Sequence, residues 1–316
     1  MYGAGAGALW GFVFLAPELV RDFNPLFLTV GRYLGFGLIA AVLAIRRWHR
    51  VQATFRKRDI VVVAQLSFVG NILYYVFLAS AVKFAGIAMT SLVIGFLPVA
   101  VTIIGSREKH AVPLSRLKLS LGLCAGGAIC IGWQAVSTPS VGDVGRTITG
   151  LLCALGALVS WTWFAVANSR WLVKLPQVST HDWNLVTGMV TGLLSIALLP
   201  VAFVVDHAPH SLPAWARLVA VAMAVALFAS ILGNACWNRM SRLLPLTLVG
   251  QMILFETLFA LIYGLTWESR LPLWSESAAF VLVAGSVVTC LAAHRRAAYS
   301  ATDSTKSRKD RALAGR

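Results

Sequence analysis

The sequence predicts an all-α integral membrane protein with ten transmembrane helices, arranged as two inverted five-helix repeats. Three observations predict this fold: long apolar segments, a weak internal repeat, and basic residues that lie just beyond the segment ends. Hydrophobic residues make up 58% of the 316 residues and charged residues only 12%. A soluble domain carries about 25% charged residues, so a soluble helical protein is disfavoured.

The apolar segments are each about 20 residues long, which is the length a helix needs to cross the hydrocarbon core. Proline marks several predicted starts, because it fits the first turn of a helix: Pro25, Pro113, Pro213 and Pro245 precede or open the second, fifth, eighth and ninth spans. The predicted spans cover residues 2–17, 25–45, 60–82, 86–105, 115–134, 148–170, 184–205, 214–236, 246–266 and 275–294.

The second half of the chain repeats the first at an offset of about 159 residues. Lys83 corresponds to Arg242, Pro98 to Thr257 and Gly105 to Gly264. Five spans in each copy is an odd number, so the second copy enters the membrane in the opposite orientation. Inverted repeats around a midplane site are typical of alternating-access transporters. The first repeat is predicted at 1–134 and the second at 148–296, with the join near 135–147.

The net charge of +15 is concentrated in loops. With both termini in the cytoplasm, 21 of the 27 basic residues lie on the cytoplasmic side and 5 on the other. This positive-inside bias predicts a multi-pass protein of the inner (plasma) membrane with both termini cytoplasmic. Residues 297–316 are polar and basic and are expected to form a disordered cytoplasmic tail. No aromatic-interleaved basic surface remains, so nucleic acid is not an expected partner.

Cysteine and histidine give no sign of a cofactor. All five cysteines fall within predicted spans, and the six histidines form no cluster with metal-ligand spacing. The chain also has no Gly-x-x-x-x-Gly-Lys-Ser/Thr phosphate loop. We therefore expect no cofactor and no ATP hydrolysis.

Short motifs in both halves resemble the EamA family of the drug/metabolite transporter superfamily. The first half carries Trp10-Gly11, Pro25 followed by Arg32, Pro98 and Glu108, and the second half carries Trp161, the segment 255–260 and Glu268. The resemblance implies ten helices in two inverted repeats, a central cavity, and export of small metabolites. Thr257 stands where the family often has proline, which predicts a straighter ninth helix.

A four-residue segment resembles one particular group of transporters within this family. Ala235-Cys236-Trp237-Asn238 is similar to a stretch of the aromatic amino-acid exporters.

Glu256 and Arg32 are the charged residues that the sequence places well inside spans, away from the span ends. A charge at membrane depth is costly unless it faces a partner or water, and such residues often mark a transport path. Glu256 would contact a substrate amine or couple protons, and Arg32 would bind a substrate carboxylate through two hydrogen bonds. The alternative is structural: Glu256 holds helices together, and Arg32 pairs with Glu18 or Glu256.

Polar and aromatic side chains within the spans are the other candidates for the cavity wall. Asn234 and Asn238 lie one turn apart on one helix face, and Asn71 occupies a corresponding place in the first half. Aromatic walls suit ring-bearing or cationic substrates. Each could instead pack or hydrogen-bond between helices. The aromatic candidates are Trp10, Tyr74, Tyr75, Trp161, Trp163 and Trp237.

Four glycine pairs at a spacing of four residues predict close helix packing. They are Gly7/Gly11, Gly31/Gly35, Gly122/Gly126 and Gly188/Gly192. The pair in the fifth span also fits a dimer or repeat interface, so the sequence leaves open a monomer or a homodimer.

The combined pattern predicts a secondary exporter of small organic metabolites such as amino acids, working by alternating access around a midplane cavity in the lipid bilayer, with proton coupling left open. A channel is the main alternative, because a cavity can become a pore. A membrane-embedded enzyme would need clustered His, Asp or Glu within the membrane, and only Glu256 lies deep.

Overall fold

The structure, a computed structural model, describes residues 1–108, 111–136 and 144–314, and within them it is all helix without strands. Its α-helices are α1 Tyr2–Gly11, α2 Ala16–Leu19, α3 Pro25–Ile45, α4 Trp48–Thr54, α5 Lys57–Ser67, α6 Tyr74–Ile94, α7 Leu97–Gly105, α8 Leu114–Val136, α9 Val144–Lys174, α10 Thr180–Ile196, α11 Leu199–Val205, α12 Leu212–Val225, α13 Asn234–Leu243, α14 Leu246–Met252, α15 Leu254–Glu268 and α16 Trp274–Ala314. A short 3-10 helix covers Phe12–Phe14. The predicted join at 135–147 falls largely outside the described residues.

Two wide, π-helical segments interrupt otherwise continuous helices. The first π turn, Phe68–Leu73, joins α5 to α6, and the second π turn, Ala226–Gly233, joins α12 to α13. The two lie about 159 residues apart, which is the offset of the sequence repeat.

Six helical stretches of the described chain are long and apolar enough to cross a membrane, and a bent pair adds a seventh. The pair is α10 with α11, which meet at 44°. An all-α membrane protein is therefore confirmed, while the number of ten spans stays a prediction. The six stretches are Pro25–Ile45, Lys57–Val82, Gly145–Lys174, Leu212–Leu243, Leu246–Trp267 and Trp274–Ala297.

Three predicted spans are broken just before a proline, and the ninth, for which Thr257 predicted a straighter helix, is interrupted at Ile253 between α14 and α15. The span predicted at 2–17 is divided by the 3-10 helix, that at 86–105 is interrupted after Ile94, and that at 184–205 breaks after Ile196. Pro17, Pro98 and Pro200 each lack the N–H that would bond the carbonyl four residues earlier, so the helix must restart. The loop expected at 83–85 does not form, because α6 continues through it to Ile94.

The last helix also extends beyond its predicted end. α16 continues to Ala314, whereas the sequence led us to expect a disordered tail from residue 297. Residues 297–314 contain neither proline nor glycine and include alanine, lysine and arginine, which favour helix.

Three of the four glycine pairs predicted from the sequence lie where two helices pack closely together. A Cβ at Gly37 would lie 2.8 Å from the Gly192 Cα, so α3 and α10 touch through their backbones. A Cβ at Gly31 would lie 2.9 Å from the Ala222 Cβ on α12. The pair in α8 differs: a Cβ at Gly122 would meet no other helix within 4 Å, whereas a Cβ at Gly126 would lie 3.5 Å from Leu282 of α16, and one at Gly127 would lie 2.7 Å from Val283. A dimer contact at Gly122 remains a prediction.

A buried polar cluster holds α7, α8, α14 and α16 together within the apolar bundle. The Gln251 side chain is fully buried. Its Oε1 accepts hydrogen bonds from Ser286 Oγ at 2.9 Å and Ser120 Oγ at 3.2 Å, and its Nε2 donates to Thr102 Oγ1 at 3.3 Å. Gln251 therefore points away from Glu256, as their spacing of five residues predicts.

Ion pairs and hydrogen bonds at the two loop ends of the bundle join the two predicted repeats. At one end Arg217 Nη2 donates to Asp22 Oδ2 at 2.6 Å, and the Asn24 N–H donates to Asp206 Oδ2 at 2.9 Å. The backbone N–H groups of Asn24 and Ala208 hold the pKa of Asp206 below its usual value, because they stabilise the carboxylate. At the other end Arg47 Nε donates to Asp182 Oδ1 at 2.7 Å.

Candidate functional site

The second π turn brings three helices together at its consecutive residues 229–231. Trp10 Nε1 of α1 donates to the Ala229 carbonyl at 3.1 Å, and Asn184 Nδ2 of α10 donates to the Ile231 carbonyl at 3.0 Å. Between them, Arg32 Nε of α3 donates to Ser230 Oγ at 3.1 Å. A π turn opens the regular backbone ladder, and such turns are frequent at functional sites.

Arg32 is half-buried and keeps most of its hydrogen-bonding capacity. Ser230 occupies its Nε, and the guanidinium carbon lies 5.4 Å from the centre of the Tyr33 ring. Among the described side chains no carboxylate forms an ion pair with Arg32. The predicted alternative of a direct pair with Glu256 is thus not formed, and the Glu18 side chain lies outside the described part of the chain.

Glu256 is half-buried in the first turn of α15, where the helix dipole favours a negative charge. Arg32 acts on it electrostatically without touching it. The Tyr74 hydroxyl lies within electrostatic range of Glu256, Arg32, Tyr33 and Tyr75. The five side chains therefore surround one region between α3, α6 and α15, with a positive and a negative group that do not neutralise each other by direct contact.

The close approach of α1 to α15 places the aromatic wall beside this charged region. A Cβ at Gly7 would lie 2.7 Å from the Glu256 backbone nitrogen, and a Cβ at Gly11 would lie 3.0 Å from the Ala260 nitrogen. Only glycine leaves room for this contact, so the first predicted glycine pair has its expected role. Trp10, one residue before Gly11, is consequently fixed next to the start of α15.

Three tryptophans from both predicted repeats pack on one another; we call Trp10, Trp161 and Trp237 the tryptophan cluster. The ring centres of Trp10 and Trp237 are 5.0 Å apart, those of Trp161 and Trp237 are 5.7 Å apart, and those of Trp10 and Trp161 are 6.4 Å apart. Trp10 and Trp237 are buried and Trp161 is half-buried. The cluster forms an aromatic surface on which a ring-bearing solute can pack.

Two polar atoms near this cluster are buried without a hydrogen-bond partner in the described structure. They are Trp237 Nε1, a donor, and Asn184 Oδ1, an acceptor. A buried polar atom left unpaired is costly, and such atoms are commonly satisfied by water or a ligand. Both atoms are therefore polar positions with unused hydrogen-bonding capacity beside the tryptophan cluster.

The remaining predicted site residues differ in how far their side chains are buried. Asn234 and the tyrosines Tyr74 and Tyr75 are half-buried, and Tyr75 packs edge-on against Tyr33 at 6.5 Å. Asn238, by contrast, is buried and accepts a hydrogen bond from Asn168 Nδ2 at 3.0 Å. Trp163 is 44% exposed on the outer face of α9, away from the tryptophan cluster.

Asn238 and Asn71 both form hydrogen bonds between helices. Asn168 links Asn238 to Trp183, whose Nε1 donates to Asn168 Oδ1 at 2.9 Å, so Asn238 belongs to a buried interhelical chain. Asn71 Nδ2 donates to Thr191 Oγ1 at 3.2 Å, and so joins the first π turn to α10.

Sequence reasoning did not select Ser230 or Tyr33. Both are polar groups near the middle of predicted spans, and the rule that singled out Asn234 would also have found them. A serine in an apolar span is usually regarded as a packing residue, and so it was passed over. No group of His, Cys, Asp and Glu within the described residues could hold a metal ion.

Comparison with known proteins places the chain among transporters. The sequence model of the EamA-like transporter family matches residues 1–133. The inner membrane protein YtfF of Escherichia coli (strain K12) is 31% identical over 306 residues, covering 91% of this chain and 93% of that protein. The uncharacterized transporter YdeK of Bacillus subtilis (strain 168) is 27% identical over 283 residues, covering 88% and 89%.

A solved crystal structure shares the fold. It has a TM-score of 0.70 at 18% identity and covers 93% of this chain and 96% of its own. The resemblance inferred from Trp10-Gly11, Arg32 and Pro98 is therefore confirmed by the relatives. The chain belongs to the EamA-like transporter family of membrane proteins.

Proposed function

We propose that this protein is a secondary exporter of small organic metabolites that carry both an amine and a carboxylate, with ring-bearing amino acids as the leading candidates. The observation that carries the proposal is the placement of Arg32 and Glu256 in one region without a direct ion pair. Two uncompensated opposite charges at membrane depth are costly unless a zwitterionic solute or water pairs with them. The tryptophan cluster adds an aromatic surface.

The proposed architecture is ten helices in two inverted five-helix repeats, at 1–134 and 148–296. The matched π turns support it, because the same rare irregularity occurs at corresponding places in both halves. A second match is the break at Gly95-Phe96 and the interruption at Ile253, which also correspond at the repeat offset. Inverted halves of this kind allow rocking around a central site, and hence alternating access.

The proposed location is the inner membrane, with both termini in the cytoplasm. The bias of basic residues supports this orientation. Arg47, Arg50, Arg56 and Arg58 then lie on the cytoplasmic side, where Arg47 and Arg50 pair with Asp182.

Counterflow in proteoliposomes tests the function directly. Purified protein is reconstituted, vesicles are preloaded with an unlabelled amino acid, and entry of the labelled amino acid is measured against empty vesicles. A carrier shows faster entry into the preloaded vesicles. A channel shows flux without this trans-stimulation, and an absence of flux for every amino acid would contradict the proposed substrate class.

Glu256 is the proposed proton-coupling group, and its substitution gives a pH test. We expect Glu256→Gln to remove the pH dependence of counterflow, because glutamine cannot exchange a proton in the tested range. Glu108→Gln is the matched control, since Glu108 follows α7 and forms a partly exposed ion pair with Arg170 at 2.9 Å. A pH profile of Glu256→Gln identical to that of the unmodified protein would show that Glu256 does not couple protons.

A further inference from the structure

Ser230 is the point where the second π turn holds the candidate carboxylate-binding arginine. Its side chain is 1% exposed, and its Oγ accepts the hydrogen bond from Arg32 Nε at 3.1 Å. Because the carbonyls on either side of it, at Ala229 and Ile231, are bonded to Trp10 and Asn184, the turn cannot shift without breaking contacts to two other helices. The serine hydroxyl is therefore a fixed acceptor.

We propose that Ser230 is a positioning residue that aims Arg32 at the substrate carboxylate and thereby sets the preference for solutes that carry one. The proposal rests on the proposed function, in which Arg32 receives that carboxylate. Ser230 itself touches Arg32 and does not need to touch the substrate.

The geometry of the guanidinium explains how the positioning works. Arginine has five N–H donors in a planar fork, and a carboxylate binds best to two parallel donors. With Nε occupied by Ser230, the edge formed by Nε and one terminal nitrogen is no longer free for a carboxylate. The two terminal nitrogens remain, and they define a single, end-on direction of approach.

Loss of the hydroxyl would release this constraint without removing the charge. The arginine side chain is long and has several rotatable bonds, so an unheld guanidinium must be ordered again each time a carboxylate binds. We therefore expect weaker binding of carboxylate-bearing solutes, and unchanged binding of solutes that lack the carboxylate.

The test uses three substitutions of Ser230 in the full-length protein reconstituted in proteoliposomes. Ser230→Thr keeps the hydroxyl, Ser230→Val has the shape of threonine without it, and Ser230→Ala removes it with the smallest change of volume. Counterflow of labelled L-phenylalanine gives KM and maximal rate. Inhibition of that counterflow by L-phenylalaninamide, which keeps the ring and the amine, reports binding without the carboxylate.

We expect Ser230→Ala and Ser230→Val to raise the KM for L-phenylalanine by up to about tenfold, which corresponds to the cost of ordering one long side chain on binding. The maximal rate and the inhibition constant of the amide should stay within about twofold, and Ser230→Thr should restore the KM. Ser160→Ala is the matched control, because it removes a hydrogen bond to the first π turn and should leave the KM unchanged.

The outcomes separate this inference from the function on which it rests. If the unmodified protein transports L-phenylalanine and Ser230→Val keeps its KM, the positioning role is overturned and the proposed function stands. If the KM for L-phenylalanine and the inhibition constant of the amide rise by the same factor, Ser230 has only a structural role, and the positioning role is also overturned. If the unmodified protein transports no amino acid and binds none better than its amide, the proposed function fails and the role of Ser230 fails with it.

Discussion

The two π turns share one backbone irregularity but have different partners. In the first π turn, the Val69 carbonyl accepts a hydrogen bond from Ser160 Oγ at 2.5 Å, and Asn71 bonds Thr191. In the second, the corresponding region bonds Trp10, Arg32 and Asn184. The first turn thus holds neutral interhelical contacts, while the second holds an arginine and a member of the tryptophan cluster.

This difference shows that the same backbone irregularity can serve different contacts. Each π turn offers backbone carbonyls to neighbouring helices. The side chains that contact the two turns differ in charge and in aromatic character. We therefore expect substitutions at the second turn to change transport, and substitutions at the first to change mainly stability.

The largest effect is expected at Arg32, the charged partner of the second turn. Arg32→Gln should reduce counterflow of L-phenylalanine by about 100-fold or more, since a carboxylate would lose a charge-assisted, two-point contact. Arg32→Lys should restore only part of the rate, because an ammonium cannot form that planar contact.

Thr191→Val is the control for Arg32, because it removes a partner of the first turn and no charge. Equal losses of transport in Arg32→Gln and Thr191→Val, with both proteins folded, would remove the distinction between the two turns.

Gly70 tests the structural role of the first turn. A Cβ at this position would overlap the Phe164 ring, so Gly70→Ala should lower the free energy of unfolding by about 1–3 kcal/mol. Gly122→Ala is the matched control and should leave stability almost unchanged, since no atom lies within 4 Å of its Cβ. Thermal unfolding in detergent measures both, and a Gly70→Ala protein as stable as Gly122→Ala would contradict the packing.

The smallest expected effect is at Trp10, where one substitution can remove the indole N–H and still keep an aromatic ring. Trp10→Phe keeps an aromatic ring and removes the hydrogen bond to the Ala229 carbonyl, so transport should fall only a few-fold. Initial rates of counterflow measure this change. A loss as large as that of Arg32→Gln would show that the second turn depends more on its carbonyl contacts than on the arginine.

Much of the fold follows from sequence because lipid imposes strict length and composition on each helix. The span predicted at 25–45 coincides with α3, whose start is fixed by Asn24 Oδ1 accepting from the Leu26 N–H at 3.0 Å. The breaks before Pro17, Pro98 and Pro200 follow from the missing proline N–H and could have been placed by the same reasoning.

Other features of the structure cannot be predicted from the sequence, because they depend on contacts between segments that are far apart in the chain. The π turns lie in apolar stretches with no local signal, and their backbone responds to the helices packed against them. The sequence alone does not show that Asn238 is bonded to Asn168 or that Trp163 is exposed on α9. Ser230 gains its importance only from Arg32, which is 198 residues away in the sequence.

The tryptophan cluster has an optical consequence. Indole rings with centres 5.0 to 6.4 Å apart are close enough for their electronic transitions to interact, which produces a distinct near-ultraviolet circular dichroism signal. A solute that packs against Trp161 would alter the ring geometry and hence that signal. We expect added solute to change this signal, and Trp161→Phe to remove the change while leaving the signal of the Trp10–Trp237 pair, whose ring centres are 5.0 Å apart.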